Sequence, residues 1–375
     1  LAVETALNEQ GQHGNDVMSR VFYAVTDNGQ PVLEGIIRSQ LGKMIENLIK
    51  SSGADGTRVR DVGIVGNTVM HHLFSGRDVS PLSQYPFRPP DIGLAVFSAA
   101  QLGWSMVPSA AVRFLPCLGS FVGSDILAGI LATNLHRSES LAALIDLGTN
   151  GEIVVGTRER LLFCSTAAGP AFEGSCISMG MRATTGAIAQ VVCDNGNFKC
   201  RVLGNGPPRG ICGSGLVDAV AAGLGSGSIR EDGLLTTKNG KLEICPPVEL
   251  TQGDIRELQV AKAAIAAGFR ILTKNLGASV EDIGKVYLAG AFGNYIDRAN
   301  SHRIGLLPVP PEKIQPVGNS ALLGAKLSLF QLGNDVFSQV SDISQHVELN
   351  LDEEFQDTFV GEMGFPDPTL NHSSG

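Results

Sequence analysis

Asp146-Leu147-Gly148-Thr149-Asn150-Gly151-Glu152 stands between two apolar runs, residues 140–146 before it and 152–156 after it. A third run, 160–165, follows across Thr157-Arg158-Glu159. Three successive strands joined by tight turns form a meander. A strand that ends in Asp-x-Gly-Thr can also do chemistry. The N–H groups of such a turn can converge on phosphate oxygens. Gly148 and Gly151 permit close approach, and Thr149 and Asn150 add side-chain donors. Asp146 can hold a magnesium ion through its waters, because Mg2+ keeps several waters and takes few carboxylates. A plain hairpin turn uses the same residue types, so the segment alone leaves both readings open.

Further along, Leu288-Ala289-Gly290-Ala291-Phe292-Gly293-Asn294 reads as a buried strand ending in small residues. A flat base could lie against the bare backbone of Gly290, Ala291, Phe292 and Gly293; a tight strand–helix turn is the alternative. Gly210-Ile211-Cys212-Gly213-Ser214-Gly215 runs into a helix over 213–224. Glycines ahead of a helix N-terminus suit an anion or a nucleotide, which makes Gly213, Ser214 and Gly215 candidate contacts. Gly123-Ser124-Asp125 belongs to a helix of small and aliphatic residues over 121–135, and 319–329 is a second helix of that kind. Two such helices can cross closely, as a hinge between lobes needs. An acid near a helix start is ordinarily a cap or first-turn residue, which is the plainer reading of Asp125.

Around these motifs, residues 32–50 repeat apolar side chains at three and four and read as a helix. A strand over 61–65 leads into Gly66-Asn67-Thr68 and a helix over 69–74. Residues 77–116 are proline-rich and read as irregular, with a weaker helix at 98–102. Turns are expected around Asp194-Asn195-Gly196-Asn197. A long helix is expected over 251–276, where Thr251 with Asp254 approximates a capping box. A buried strand follows at 286–289. Composition shifts near residue 138, which divides the chain into a first lobe 1–137, a second lobe 138–330 and an acidic, partly irregular tail 331–375.

The chain has 375 residues, 43% hydrophobic and 17% charged, enough apolar material for two cores. Its net charge of −9 argues against a nucleic-acid surface and fits a soluble cytoplasmic protein. No apolar run is long enough for a membrane span. The seven cysteines form no C-x-x-C pair and read as reduced, buried thiols. The chain starts at Leu1 without the pattern of a signal peptide, and that start reads as a cut.

The order of elements is more specific than any one of them. It resembles the superfamily of acetate and sugar kinases, heat-shock chaperone ATPases and actin. That resemblance implies an α/β, two-lobed actin-like (ribonuclease H-like) ATPase fold with a nucleotide cleft between lobes. The motifs then stand for a first connecting helix with its acid Asp125, a second phosphate loop, an adenosine motif and a second connecting helix. It makes Asp125, Asp146 and Glu152 the candidate catalytic acids, with Asp146 and Asp125 as magnesium ligands. Lys262 lies where chaperone ATPases touch ribose and adenine. His71 and His72 resemble a substrate-facing loop of some sugar kinases; a helical surface or a satisfied core pair is the blander reading.

Narrower still, Gly66–Leu73, the 146–152 loop, Ala167-Ala168-Gly169-Pro170-Ala171-Phe172-Glu173-Gly174, Gly210–Gly215 and Ala261-Lys262-Ala263-Ala264-Ile265 look like one family. Asn8-Glu9-Gln10, the 14–20 segment, Phe355 and Phe365-Pro366 look like it too. It is the family of ATP-dependent reductive activators of corrinoid proteins. The resemblance implies ATP and Mg2+ as cofactors, and turnover that drives Co(II) to Co(I). It also implies a corrinoid protein and an electron donor protein or domain as partners, with no nucleic acid and no membrane, and it leaves room for a homodimer. Two departures stand out. The first phosphate loop, Asp-x-Gly-Thr-Thr, is absent and expected just upstream. The cysteine set of a [2Fe–2S] ferredoxin-like domain is absent too, so that cluster is expected in a separate domain. A sugar or carboxylate kinase of the same superfamily is the rival reading, because fold does not give function.

Overall fold

The computed structural model describes residues 1–194, 196–330 and 336–367, and of Ala291 the backbone alone. The first strands and helices in chain order are α1 (Val17–Thr26), α2 (Gln30–Ser52), β1 (Asp61–Ile64), α3 (Thr68–Ser75), β2 (Ala95–Ser98), β3 (Ala111–Phe114) and α4 (Ser124–Thr133). Then come β4 (Ala142–Leu147), β5 (Gly151–Gly156), β6 (Leu161–Thr166), β7 (Ala187–Asp194), β8 (Asn197–Val202), β9 (Gly210–Ile211) and α5 (Gly213–Gly225). β10 (Lys241–Cys245), β11 (Val248–Thr251), α6 (Gln252–Asn275), β12 (Lys285–Ala289), α7 (Gly290–Gly293), α8 (Arg298–Arg303) and β13 (Ile314–Gly318) follow. α9 (Ser320–Ser328), α10 (Val336–Ile343), β14 (Ser344–His346) and α11 (Phe355–Gly361) close the described chain.

These elements form two compact units. One comprises Leu1–Asn134 with Ser320–Ser344, the other Leu135–Asn319 with Gln345–Gly375. The sequence boundary near 138 lies close to the first division. The helix expected at 319–329 differs, because α9 joins the first unit and not the second lobe. The reason is local: α9 packs on α4 so closely that a Cβ at Gly324 would lie 1.9 Å from Ala128 O. Only glycine permits that approach.

In the first unit β1 pairs in parallel with β3, and β2 pairs antiparallel to β3. These strands correct the irregular reading of 77–116. Each has four residues, too short for alternation to stand out among the prolines. The helix expected at 98–102 is a turn, with Trp104 N bonded to Ala99 O at 2.9 Å and Gly103 at φ +73°. Trp104 is buried, and its Nε1 donates to Arg38 O at 2.9 Å. α4 is shorter than 121–135, because Gly123 is extended ahead of it and Asn134 turns left-handed at φ 54°.

The second unit holds a six-stranded sheet in the order β13-β12-β4-β5-β6-β14, a three-stranded sheet β8-β7-β9 and the hairpin β10-β11. β4, β5 and β6 are the expected antiparallel meander. α6 carries the expected capping box at Thr251 and Asp254. A Cβ at Gly268 of α6 would meet Thr166 and Ile153 at 2.7 and 3.2 Å, so this helix covers that face of the meander. The turn expected at 194–197 joins β7 to β8, and Asn195 within it lies outside the described residues. The tail is more ordered than its composition suggests: α10, β14 and α11 form in it, while 331–335 and 368–375 lie outside the described residues. Nor are all cysteines buried. Cys117, Cys164 and Cys212 are; Cys176, Cys200 and Cys245 are half-buried, and Cys193 is exposed. Among the described residues no helix is long and apolar enough to cross a membrane.

The helix contact gives a direct test. Gly324→Val should lower stability in urea by about 1–3 kcal/mol or more through overpacking. Gly35→Ala, on α2 with no atom within 4 Å of the new methyl, should be neutral or stabilise by up to about 1 kcal/mol.

Candidate functional site

The second unit builds a site from strand ends. β12 pairs in parallel with β4, which sets Ala289 beside Asp146. β5 pairs antiparallel with β4, which sets Glu152 opposite Asp146, and β6 sets Ser165 opposite Glu152. Directly opposed residues share a sheet face. Gly151, Ile153, Cys164 and Thr166 alternate onto the face under α6, so Asp146, Glu152 and Ser165 stand on the other. After Ala289 the chain turns at Gly290, φ +88°. A Cβ there would lie 2.7 Å from Asp146 Oδ1 and 3.1 Å from Leu147 O. The 146–152 loop and the Gly290–Gly293 turn, remote in sequence, therefore touch.

Asp146 is an acid without a partner among the described residues. No donor or cation among them satisfies it, and burial alone pushes its carboxyl up to about 6. A half-buried carboxylate is costly until a cation or donor meets it. In the turn beyond it, Gly148 N bonds Asn150 O at 3.0 Å. The N–H groups of Thr149 and Asn150 have no partner among the described residues. Thr149 Oγ1 donates to Glu173 Oε1 at 2.5 Å. Ser165 Oγ donates to Glu152 Oε1 at 3.4 Å. The two loop glycines differ in purpose. A Cβ at Gly148 would meet only Asn150 O, at 3.6 Å, whereas at Gly151 it would meet Thr166 Oγ1 at 2.8 Å and Ile265 at 3.0 Å. Gly148 thus leaves the loop face bare, and Gly151 lets α6 pack.

Three further motifs converge. The rings of Phe172 and Phe292 stack with centroids 4.8 Å apart. A Cβ at Gly213 would lie 2.1 Å from Phe172 O and 3.0 Å from Phe292. Gly213, Phe292 and the 167–174 segment therefore form one cluster. Two neighbours have packing jobs. Ser214 is buried and donates to Ala189 O at 3.0 Å, and Gly215 lets α5 approach Ile188 O. Gly293, at the end of α7, packs against Leu288 of β12. Ala291 lies in α7; its side chain is outside the described residues.

Lys262 on α6 is fully buried. Its Nζ donates to Gly364 O and lies 5.4 Å from the centroid of the Phe365 ring. Burial pushes its ammonium down to about 8. In this structure the chain's own 364–366 segment covers it, instead of a ribose.

In the first unit, Asp125 sits in the first turn of α4 with Gly123 as the cap, so it is not the capping residue. Its carboxylate accepts from Ile126 N at 2.9 Å. Gly66 O accepts from Ser124 N at 2.9 Å, and a Cβ at Gly123 would lie 2.1 Å from that oxygen. The Gly66-Asn67-Thr68 loop and the start of α4 are thus one structure. His71 and His72 are buried beside it. His71 Nε2 meets Gly93 O at 3.0 Å and His72 Nδ1 meets Thr68 O at 2.9 Å, and burial holds His71 down at about 4. The pair lies in the core, as the blander reading expects, but it is only half satisfied: His71 Nδ1 and His72 Nε2 are buried with no hydrogen-bond partner among the described residues.

The description "RACo middle region" matches residues 1–138, and "C-terminal domain of RACo the ASKHA domain" matches residues 140–374. This chain belongs to the RACo family. A RACo relative in Eubacterium limosum, "Corrinoid activation enzyme RamQ", is 35% identical, over 97% of this chain and 66% of its own length. "[Co(II) methylated amine-specific corrinoid protein] reductase" from Methanosarcina barkeri is 27% identical, over 94% and 70%. A solved structure, "Reductive activator for corrinoid,iron-sulfur protein", superposes with a TM-score of 0.84 at 33% identity, over 98% of this chain and 62% of that one. The chain thus spans about two thirds of the length of these relatives. The fold is the mixed α/β, actin-like class of the RACo family, and its ASKHA domain implies nucleotide binding. The family boundary at 138–140 falls close to the structural one at 134–135.

Among the described residues no three His, Cys, Asp or Glu side chains gather to hold a metal. Magnesium bound with a nucleotide does not need such a cluster, because phosphate oxygens and waters fill most of its shell. The unpartnered Asp146 fits that chemistry. The sequence alone assigns no site role to Phe172, and for Glu173 it offers a site acid or a turn acid, with the balance slightly toward the site. Their signal was the Gly-Pro-Ala-Phe-Glu-Gly turn, whose glycines mark close approach.

Lys262 makes stability depend on pH. Its folded value, about 8, lies below the ordinary 10.5. The unfolded chain binds more protons between those values, so stability rises with pH there and is lost as pH falls through 8. Relative to Lys262→Met, the parent should gain about 2–3 kcal/mol between pH 8 and 10.5 in urea titrations. A constant difference across that window would mean that the ammonium is solvated.

Proposed function

We propose that this chain is the ATP-binding and hydrolysing core of a reductive activator that drives Co(II) to Co(I) in a corrinoid protein. The observation that carries the nucleotide reading is the unpartnered Asp146 carboxylate, beside the unbonded N–H groups of Thr149 and Asn150. A magnesium nucleotide supplies a cation for the first and phosphate oxygens for the second. Glu173 orients the Thr149 hydroxyl, and Gly290 keeps side-chain bulk away from Asp146. The names of the relatives favour corrinoid activation over a small-molecule kinase of the same superfamily.

Co(I) lies uphill of ordinary cellular donors. ATP can drive its formation only if the nucleotide-bound and nucleotide-free proteins differ in affinity for two states of the corrinoid partner. The electron comes from a donor protein or from a [2Fe–2S] domain, and the setting is cytoplasmic.

Calorimetry tests the site. Asp146→Ala should bind ATP with Mg2+ at least about tenfold more weakly than the parent, while affinity without Mg2+ changes little. Equal Mg2+-dependent affinity in both would remove Asp146 from the site. Gly290→Val is a poor probe of the base alone, because its side chain would press on Asp146 and strain a left-handed turn.

Turnover tests Asp125. In a protein that turns over ATP, Asp125→Asn should keep its melting temperature and ATP affinity. ATP hydrolysis and corrinoid reduction should fall at least about tenfold, a floor for a positioned acid–base group. Unchanged hydrolysis would leave Asp125 a first-turn residue only.

A further inference from the structure

Cys200 and Cys245 stand apart from the other cysteines. Cys200 lies on β8 and Cys245 ends β10. Those strands belong to different sheets yet pack on one another. The Cys200 thiol donates to Ile244 O at 3.6 Å, which sets it at the end of β10, where Cys245 is the next residue and near enough to influence the protonation of Cys200. Both sulfurs are free, half-buried and packed at the margin of the second unit's core. Cys117, Cys164 and Cys212 are shut inside. Solvent access and a second thiol within reach are what a dithiol needs to cycle.

We propose that Cys200 and Cys245 form a redox-active dithiol, which a low-molecular-weight disulfide such as oxidised glutathione converts into an intramolecular disulfide joining β8 to β10. Cys245 gives its proton to water and attacks first. A bond forms between Cys245 Sγ and one glutathione sulfur, the glutathione disulfide breaks, and one glutathione thiolate leaves. Cys200 then attacks Cys245 Sγ. The protein disulfide forms, the mixed disulfide breaks, and the second glutathione leaves with the proton. Two protein thiols are oxidised and one small disulfide is reduced to two thiols.

The bond would staple two supports of the candidate site. β8 pairs with β7, whose Ala189 O holds Ser214 and whose Ile188 O faces Gly215 at the start of α5. β10 pairs with β11, which ends at Thr251, the cap of α6. Closing the loop from 200 to 245 also restricts the unfolded chain.

The test is mass mapping of the intact chain after oxidised glutathione at pH 8, with free thiols alkylated before and after unfolding. We expect a loss of about 2 Da, with the peptides of Cys200 and Cys245 joined. The melting temperature should rise by at least about 3 °C and fall back with dithiothreitol. Cys200→Ser and Cys245→Ser should each lose the crosslink and the shift, and Cys193→Ser should keep both. Cys200 and Cys245 recovered as free thiols or as separate glutathione adducts would overturn the proposal. So would a crosslink that runs through Cys193.

Discussion

When β12 pairs in parallel with β4, Ala289 comes beside Asp146, and the next residue must turn with no side chain. The features of the candidate site in the second unit follow from that constraint. Gly290 takes a left-handed turn, which an L side chain adopts at a cost. Its backbone closes over the carboxylate, and the burial that results raises the affinity of Asp146 for a proton. A buried acid without a partner is a net cost to the folded chain. Such a cost makes physical sense where a ligand is to offset it.

The sequence was informative where a motif carries its own geometry. Asp-x-Gly-Thr between apolar runs located the meander and the loop, and Thr251 with Asp254 located the start of α6. It was silent where contacts are made at long range. Nothing local to Gly151 or Gly148 says that one packs under α6 and the other stands in open space. Ser214 and Gly215 look like a phosphate cradle, yet tertiary packing turns both toward β7. Lys262 shows the same limit, because its partner carbonyl lies 102 residues away. The short strands β2 and β3 were illegible for another reason. Four residues between prolines carry no period, and it is pairing with β1 that makes them a sheet.

Polar residues in this chain divide by whether the protein itself satisfies them. Asp254 accepts from Thr251 and from Ser178, and Asp218 accepts from Asn300 and Val191. These acids are used up in holding elements together. Asp146 has no such job, although burial also raises Asp218 to about 6. A shifted acid therefore marks a site only when its hydrogen bonds are counted as well.

The return of α9 to α4 has a consequence for the ribosome. The first unit is discontinuous, with the 185 residues of Leu135–Asn319 made between its two parts. At typical synthesis rates roughly 10–40 s separate α4 from the helix that packs against it. During that interval the small-residue face of α4 lacks its partner, and the nascent first unit stays incomplete. The second unit's meander, α5, α6 and β12 all emerge first. Residue order thus imposes a folding order in which the later-numbered unit assembles most of its core before the first can close.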